Sequence, residues 1–291
     1  MFKFGTSIGV GKVSVSFTIL SSGLKIAKLA EYASSRGILP SEVVALESNT
    51  YVQPTYSTPS DNTLFSTYSS VGTSTWSSNN WAAKFNASGH VWSNPRGGTL
   101  ILQDIIVLNT HFKYTVGDDV TFTAPDGTPV SRIVAASTDI PGSAFSDITV
   151  VKLSSPLPLD FTPYAILEQD LVNQPSSYVP MPTVHFRNGL DYRGIFAGEF
   201  YAYDEAPGTD GCTFGARSDL PAAMWDPPSA SESGSPAFAV IGSQLVLIAT
   251  LADSTSNLGL PPHNGQDGML ALYIGHPTAI AAINSAIENF A

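Results

Sequence analysis

Three segments of this 291-residue chain carry residues whose types and order suit chemistry at a carbonyl carbon. The first runs from Gly97-Gly98-Thr99-Leu100-Ile101 to Leu108-Asn109-Thr110-His111, the second is Ser146-Asp147-Ile148, and the third is Ser231-Glu232-Ser233-Gly234-Ser235-Pro236. They supply a base, an acid to orient it, and a serine at a Gly-flanked turn. A serine hydroxyl is a poor nucleophile until an imidazole takes its proton. The imidazole in turn needs a carboxylate to fix its tautomer and stabilise its charged form. The chemistry offered is nucleophilic acyl transfer.

Positioning such groups requires a rigid frame, and from about Trp81 onward the chain reads as strands. Expected strands are Thr99–Leu108, Val120–Ala124, Val130–Ala135, Ile148–Leu153, Tyr178–Phe186, Ile195–Tyr203, Ala237–Ile241, Gln244–Leu251 and Leu270–Ile274. They are short, rich in Val, Ile, Thr, Phe and Tyr, and punctuated by turn signals such as Pro125-Asp126-Gly127, Pro141-Gly142 and Arg187-Asn188-Gly189. Many short strands with Gly/Pro turns predict an all-β sandwich or barrel. A helix closes the chain: Pro277 suits its first turn, and Ile280, Ile283, Ile287 and Phe290 form one apolar stripe.

Residues 1–85 differ in character. Val13–Leu24 is interrupted by Ser14, Ser16, Thr18, Ser21 and Ser22 and reads as structure, not as a signal-peptide core. A short helix is expected over Leu24–Arg36, ended by Gly37. The tract from Ser48 to Asn80 is rich in Ser, Thr, Asn and Tyr and carries Tyr51, Tyr56, Phe65, Tyr68 and Trp76. It reads either as an attachment or wrapping arm whose aromatics lie along another surface, or as a linker. The expected division is an arm over 1–85 and a β-domain over 86–291.

The three segments resemble the motifs of the chymotrypsin/trypsin-like serine protease family. Gly97 to Ile101 followed by His111 resembles the Gly-Gly-[Ser/Thr]-Leu-Ile strand that leads to the catalytic histidine. Ser146-Asp147-Ile148-Thr149-Val150-Val151-Lys152-Leu153 resembles the strand that carries the catalytic aspartate. Ser231 to Pro236 resembles Gly-Asp-Ser-Gly-Gly-Pro, which places the nucleophile at Ser233. The resemblance covers residues 85 to 291 and implies a double six-stranded β-barrel with a C-terminal helix. It also implies a polypeptide substrate, a His111–Asp147–Ser233 triad, and an oxyanion hole from the backbone N–H groups of Ser231 and Ser233.

The chain departs from the family pattern at several places. Ser231 stands where the family has Gly, and a side chain there opposes the inward turn of its N–H; losing one such donor costs about 3–4 kcal/mol of transition-state stabilisation. Glu232 replaces the Asp that in animal members pairs with a freed N-terminus. With no Ile-Val-Gly-Gly start, that activation route is expected to be absent. Ser235 replaces the second Gly, and Asn109-Thr110 replaces Ala-Ala. In the family, the floor of the specificity pocket lies six positions before the nucleophile, here Pro227. The wall strand supplies Thr250, Leu251 and Ala252, with Ala249 where some members carry His. A small-to-medium uncharged residue is the expected preference, subject to a loop shift that would bring Asp226 onto the floor.

Composition narrows the alternatives. A net charge of −11 with no basic run disfavours nucleic acid, whose phosphates are held by Lys and Arg. No stretch reaches the length of apolar residues that a membrane span needs. Cys212 is the only cysteine, so no intrachain disulfide forms, which points to a bacterial or viral version or a reducing compartment. In Asp210-Gly211-Cys212-Thr213 it reads as a small buried side chain. No metal or other cofactor is implied, since His90, His185, His263 and His276 lack metal-ligand spacing. Asn86-Ala87-Ser88 fits a glycosylation acceptor only in a secretory setting. Two other readings compete with a serine endopeptidase. One is a structural or binding protein, such as a virion or surface-assembly component, that keeps the fold and docks a partner through the arm. The other is a carbohydrate- or receptor-binding β-domain.

Overall fold

Short runs of β-branched and aromatic residues satisfy their backbone groups by pairing, and the turns between them set antiparallel neighbours. The computed structural model describes residues 62–92, 96–141, 147–167, 181–188, 193–206, 209–218, 220–227, 232–241, 244–254 and 262–290. The expected helix over Leu24–Arg36 and the segment Val13–Leu24 lie outside the described residues.

The fold is mostly β and follows the expected chymotrypsin-like double-barrel plan. The first unit contains β3 (Thr99–Leu102), β4 (Ile105–Asn109), β5 (Asp119–Thr123), β6 (Pro129–Asp139) and β7 (Ile148–Leu153), in the order β3-β4-β7-β6-β5. Its two edges approach one another through His90-Val91, which bridge Thr99 of β3 and Phe122 of β5. The second unit is a closed six-stranded barrel: β8 (Met181–Asn188), β9 (Arg193–Ala206), β10 (Thr209–Gly215), β11 (Pro236–Ile241), β12 (Gln244–Ser254) and β13 (Met269–Tyr273), in the order β10-β13-β12-β11-β8-β9. Closure leaves that barrel without a free edge.

Two expectations about strands are corrected. The run expected as one strand, Thr99–Leu108, is a hairpin that turns at Gln103-Asp104. The Gln103 amide donates to Pro158 O at 2.8 Å, and Asp104 O accepts from Leu153 N at 2.8 Å. A strand absent from the sequence reading, β10, runs through Asp210-Gly211-Cys212-Thr213. Its glycines weaken the strand signal, while Cys212 and Phe214 are wholly buried in the barrel core. Burial also pushes the Cys212 thiol well up, consistent with an unreactive side chain.

Part of the Ser/Thr-rich tract belongs to the packed body. Strands β1 (Phe65–Thr67) and β2 (Thr75–Trp76) pair with each other. Phe65 stacks on Trp76 at 4.2 Å, and the Arg193 guanidinium lies 3.6 Å over Tyr68. Leu64, Phe65, Trp81 and Phe85 are buried in one apolar core with Val107 and Val150 of the first unit and Val184 and Phe238 of the second. Asn62 and Leu64 bond the backbone of Ile195 and Arg193 where β10 no longer covers β9. At the other end the C-terminal helix, Pro277–Glu288, buries Ile280, Ile283 and Ile287 in the same core. Each such side chain contributes about 1.5–3 kcal/mol by leaving water. Lys152 of β7 reaches Phe290 O, tying the helix end to the first unit. Asn86 and Ser88 form a local turn, with Ser88 N donating to the Asn86 side chain at 2.9 Å.

Candidate active site

His111 is delivered by the end of a fully buried strand. All five residues of β4 are buried, and the chain leaves it in a single 3-10 turn, Thr110–Phe112, which carries the His111 side chain out to 49 % exposure. The turn is pinned on both sides. Thr110 Oγ1 meets Thr149 Oγ1 at 2.8 Å, Thr149 donates to Asp139 at 2.7 Å, and the other oxygen of Asp139 accepts from Lys113.

Asp147 immediately precedes β7, antiparallel to β4, so the register Asn109↔Ile148 sets it beside the histidine. The Asp147 carboxylate lies 2.8 and 2.7 Å from His111 Nδ1 and accepts the backbone N–H of His111 at 2.8 Å. Asn109, wholly buried at the end of β4, donates its amide to Asp147 Oδ2 at 3.2 Å. A carboxylate on Nδ1 makes that nitrogen the proton-bearing one, leaving the Nε2 lone pair toward Ser233. The Asp147 side chain keeps 29 % exposure and is less enclosed than a buried strand end would make it.

Ser233 comes from the second unit, in the turn before β11. Gly234 has φ of +88°, a conformation that a side chain resists, and this lifts the serine at the head of the turn. His111 Nε2 lies 2.9 Å from Ser233 Oγ, and Ala252 O lies 3.2 Å from the same hydroxyl. The shorter contact is the one to the imidazole. The amides of Gly234 and Ser235 are committed to Leu251 O and Glu232 O at 2.9 and 3.1 Å. The structure therefore brings His111, Asp147 and Ser233 into one hydrogen-bonded row across the two units.

The remaining expected residues fall in different settings. Ser231 lies outside the described residues. Pro227 is half-buried. Thr250 and Leu251 are closed off from solvent, with Leu251 in the core and its backbone clipping Ser235; Ala252 is partly exposed beside Ser233. Asp226, the possible floor carboxylate, pairs with Arg187.

That arginine was not singled out from the sequence. Arg187 Nε lies 3.0 and 2.9 Å from the two oxygens of Glu232, which is wholly buried directly before Ser233, and Arg187 Nη2 is 2.7 Å from Glu232 Oε2. Glu232 is thus a buried carboxylate already matched by an internal cation. Asn109 was likewise noted only as a departure. A polar residue ending a buried apolar strand was the available signal for it. The other histidines have structural surroundings: His90 and His185 are buried, His263 contacts Glu199 at 2.6 Å, and His276 accepts from Thr278 N as a helix cap. Among the described residues no three His, Cys, Asp or Glu side chains are grouped to hold a metal, and no helix is long and apolar enough to cross a membrane.

No protein-family model matches the chain, and no curated protein matches it. Solved structures that resemble it include kallikrein-related peptidase 10, at 14% identity and a TM-score of 0.45, over 68% of this chain and 98% of that one.

Proposed function

We propose that this chain is a serine endopeptidase of the disulfide-free, bacterial or viral type, acting through His111, Asp147 and Ser233. The observation that carries the reading is the row Asp147–His111–Ser233, with contacts of 2.7 and 2.9 Å on the two nitrogens of one imidazole. In the proposed reaction His111 Nε2 takes the Ser233 proton as Oγ bonds the carbonyl carbon of the substrate. The C–O π electrons move to oxygen, and the oxyanion is met by the N–H groups of Ser233 and Ser231. His111 then gives its proton to the departing amine, leaving an acyl-enzyme. Water, deprotonated by the same nitrogen, releases the acid and restores the serine. Asp147 holds the imidazole in the required tautomer and stays ionised.

The proposed specificity pocket uses Pro227 as floor and Thr250, Leu251 and Ala252 along its wall. Pairing of Asp226 with Arg187 supports an uncharged preference, because a buried cation on the substrate would lack a counter-charge. The N-terminal arm, residues 1–85, is proposed to dock a partner.

The test is reaction with a fluorophosphonate. Labelling at Ser233 and its loss in Ser233→Ala supports the reading. No labelling of well-folded wild type would overturn it in favour of a binding protein that keeps the fold without the activity.

A further inference from the structure

The two reacting side chains stand on different units, and the chain's single cysteine rules out a disulfide between them. A displacement of about 1 Å at such a contact is enough to cost on the order of 100-fold in rate. Something must fix the distance, and one dipeptide touches both sides of the row. Gly97 N–H donates to Ser233 O at 3.1 Å. A Cβ on Gly97 would sit 2.2 Å from Gly234 C and 2.4 Å from Ser235 N, so only glycine lets the two backbones meet. Its neighbour Arg96 faces the other way, toward the segment that follows His111. The guanidinium carbon lies 6.0 Å from the centre of the Phe112 ring and 5.6 Å from that of Tyr114. Phe112 lies alongside the His111 ring at 6.4 Å and 23°. Tyr114 Oη donates to Arg96 O at 2.9 Å. Asp118, fixed by Thr115 N at 2.9 Å, accepts from Arg96 Nη1 at 3.4 Å.

We infer that Arg96 and Gly97 are positioning residues that set the separation of base and nucleophile. Gly97 seats the Ser233 turn by backbone contact, and Arg96 fastens that same backbone to the Phe112–Tyr114 segment beside the base. Arginine suits the second task because its planar cation lies on two rings while still donating sideways, which an ammonium does less well. This inference rests on the reading of His111 and Ser233 as base and nucleophile.

The test uses the full chain with Gly97→Ala, Arg96→Met and Arg96→Lys. Two readouts are taken: inactivation by diisopropyl fluorophosphate, resolved into kinact and KI, and the 15N resonance of His111 Nε2. Gly97→Ala is expected to lower kinact by about 100-fold with KI within about threefold. Arg96→Met should lower it by about tenfold, with Arg96→Lys recovering only part. The Nε2 resonance should move in the direction produced by Ser233→Ala. A folded Gly97→Ala protein with wild-type kinact and an unmoved resonance would overturn the inference. If Gly97→Ala does not fold, Arg96→Met decides on the same two readouts. An unreactive wild type sinks the proposed protease reading. The resonance then still judges the positioning role of Arg96 and Gly97, which fails if neither variant moves it.

Discussion

At the scale of residues, each member of the row has a defined burden. Asp147 makes two contacts to the imidazole and one to the His111 amide, so Asp147→Asn keeps the size but reverses which ring nitrogen bears the proton. On the proposed protease reading, turnover should fall by about 10⁴ with the melting temperature nearly unchanged; a loss of less than tenfold would remove Asp147 from the proposed mechanism. Glu232 poses a different problem, since a wholly buried carboxylate stands only while a cation meets it. Removing one partner of such a pair costs about 3–5 kcal/mol, more than the pair itself contributes. Arg187→Met should therefore destabilise the protein by that order, and adding Glu232→Gln should recover part of it. Denaturant unfolding measures both. A double variant no more stable than Arg187→Met would show that the pair does not act as a unit.

The elements explain why the row is held. His111 leaves β4, Asp147 enters β7, and these strands are hydrogen-bonded neighbours, so the two residues share one ladder. Ser233 comes from the turn before β11, and the shared core between the units sets where it stands. That core includes Leu64, Phe65, Trp81 and Phe85. A chain beginning at residue 62 should unfold cooperatively. One beginning at 86 removes Phe65 from the Trp92 ring it meets at 5.7 Å and takes Leu64, Trp81 and Phe85 out of the shared core, and should be insoluble or molten. Equal thermal transitions for the two truncations would show that residues 62–85 add nothing to the fold.

For the whole molecule, acid should be a weakness. Burial pushes His90 and His185 down to about 3, whereas histidines of an unfolded chain titrate near 6.5. Between those limits the unfolded state binds more protons. Stability is therefore full above about pH 6.5 and falls as the pH drops toward 3, by up to about 1.4 kcal/mol per pH unit for each histidine. His185→Gln should flatten the dependence measured by denaturant unfolding between pH 4 and 7. An unchanged slope would assign the acid sensitivity elsewhere.

What the sequence determined by itself was local and periodic. The strand character of Ile148–Leu153 and Gln244–Leu251, the stripe of the C-terminal helix, and the order of His111, Asp147 and Ser233 depend on neighbours a few residues apart. Side-chain alternation and turn chemistry record such neighbours directly. The tertiary structure decided what depends on distant pairs. Glycines hid β10 until pairing with β9 and β13 gave it a place. Phe65 became core, with Trp76 packed against it, only when the two units presented a surface to cover. Arg187 reads as the first residue of a turn until folding places it near the end of β8 against Glu232, 45 residues away. Gly97 belongs to a recognisable motif, but its role emerges only where its backbone meets Gly234. Desolvation and close contact arise from chain segments far apart in sequence, and no window of sequence contains both partners.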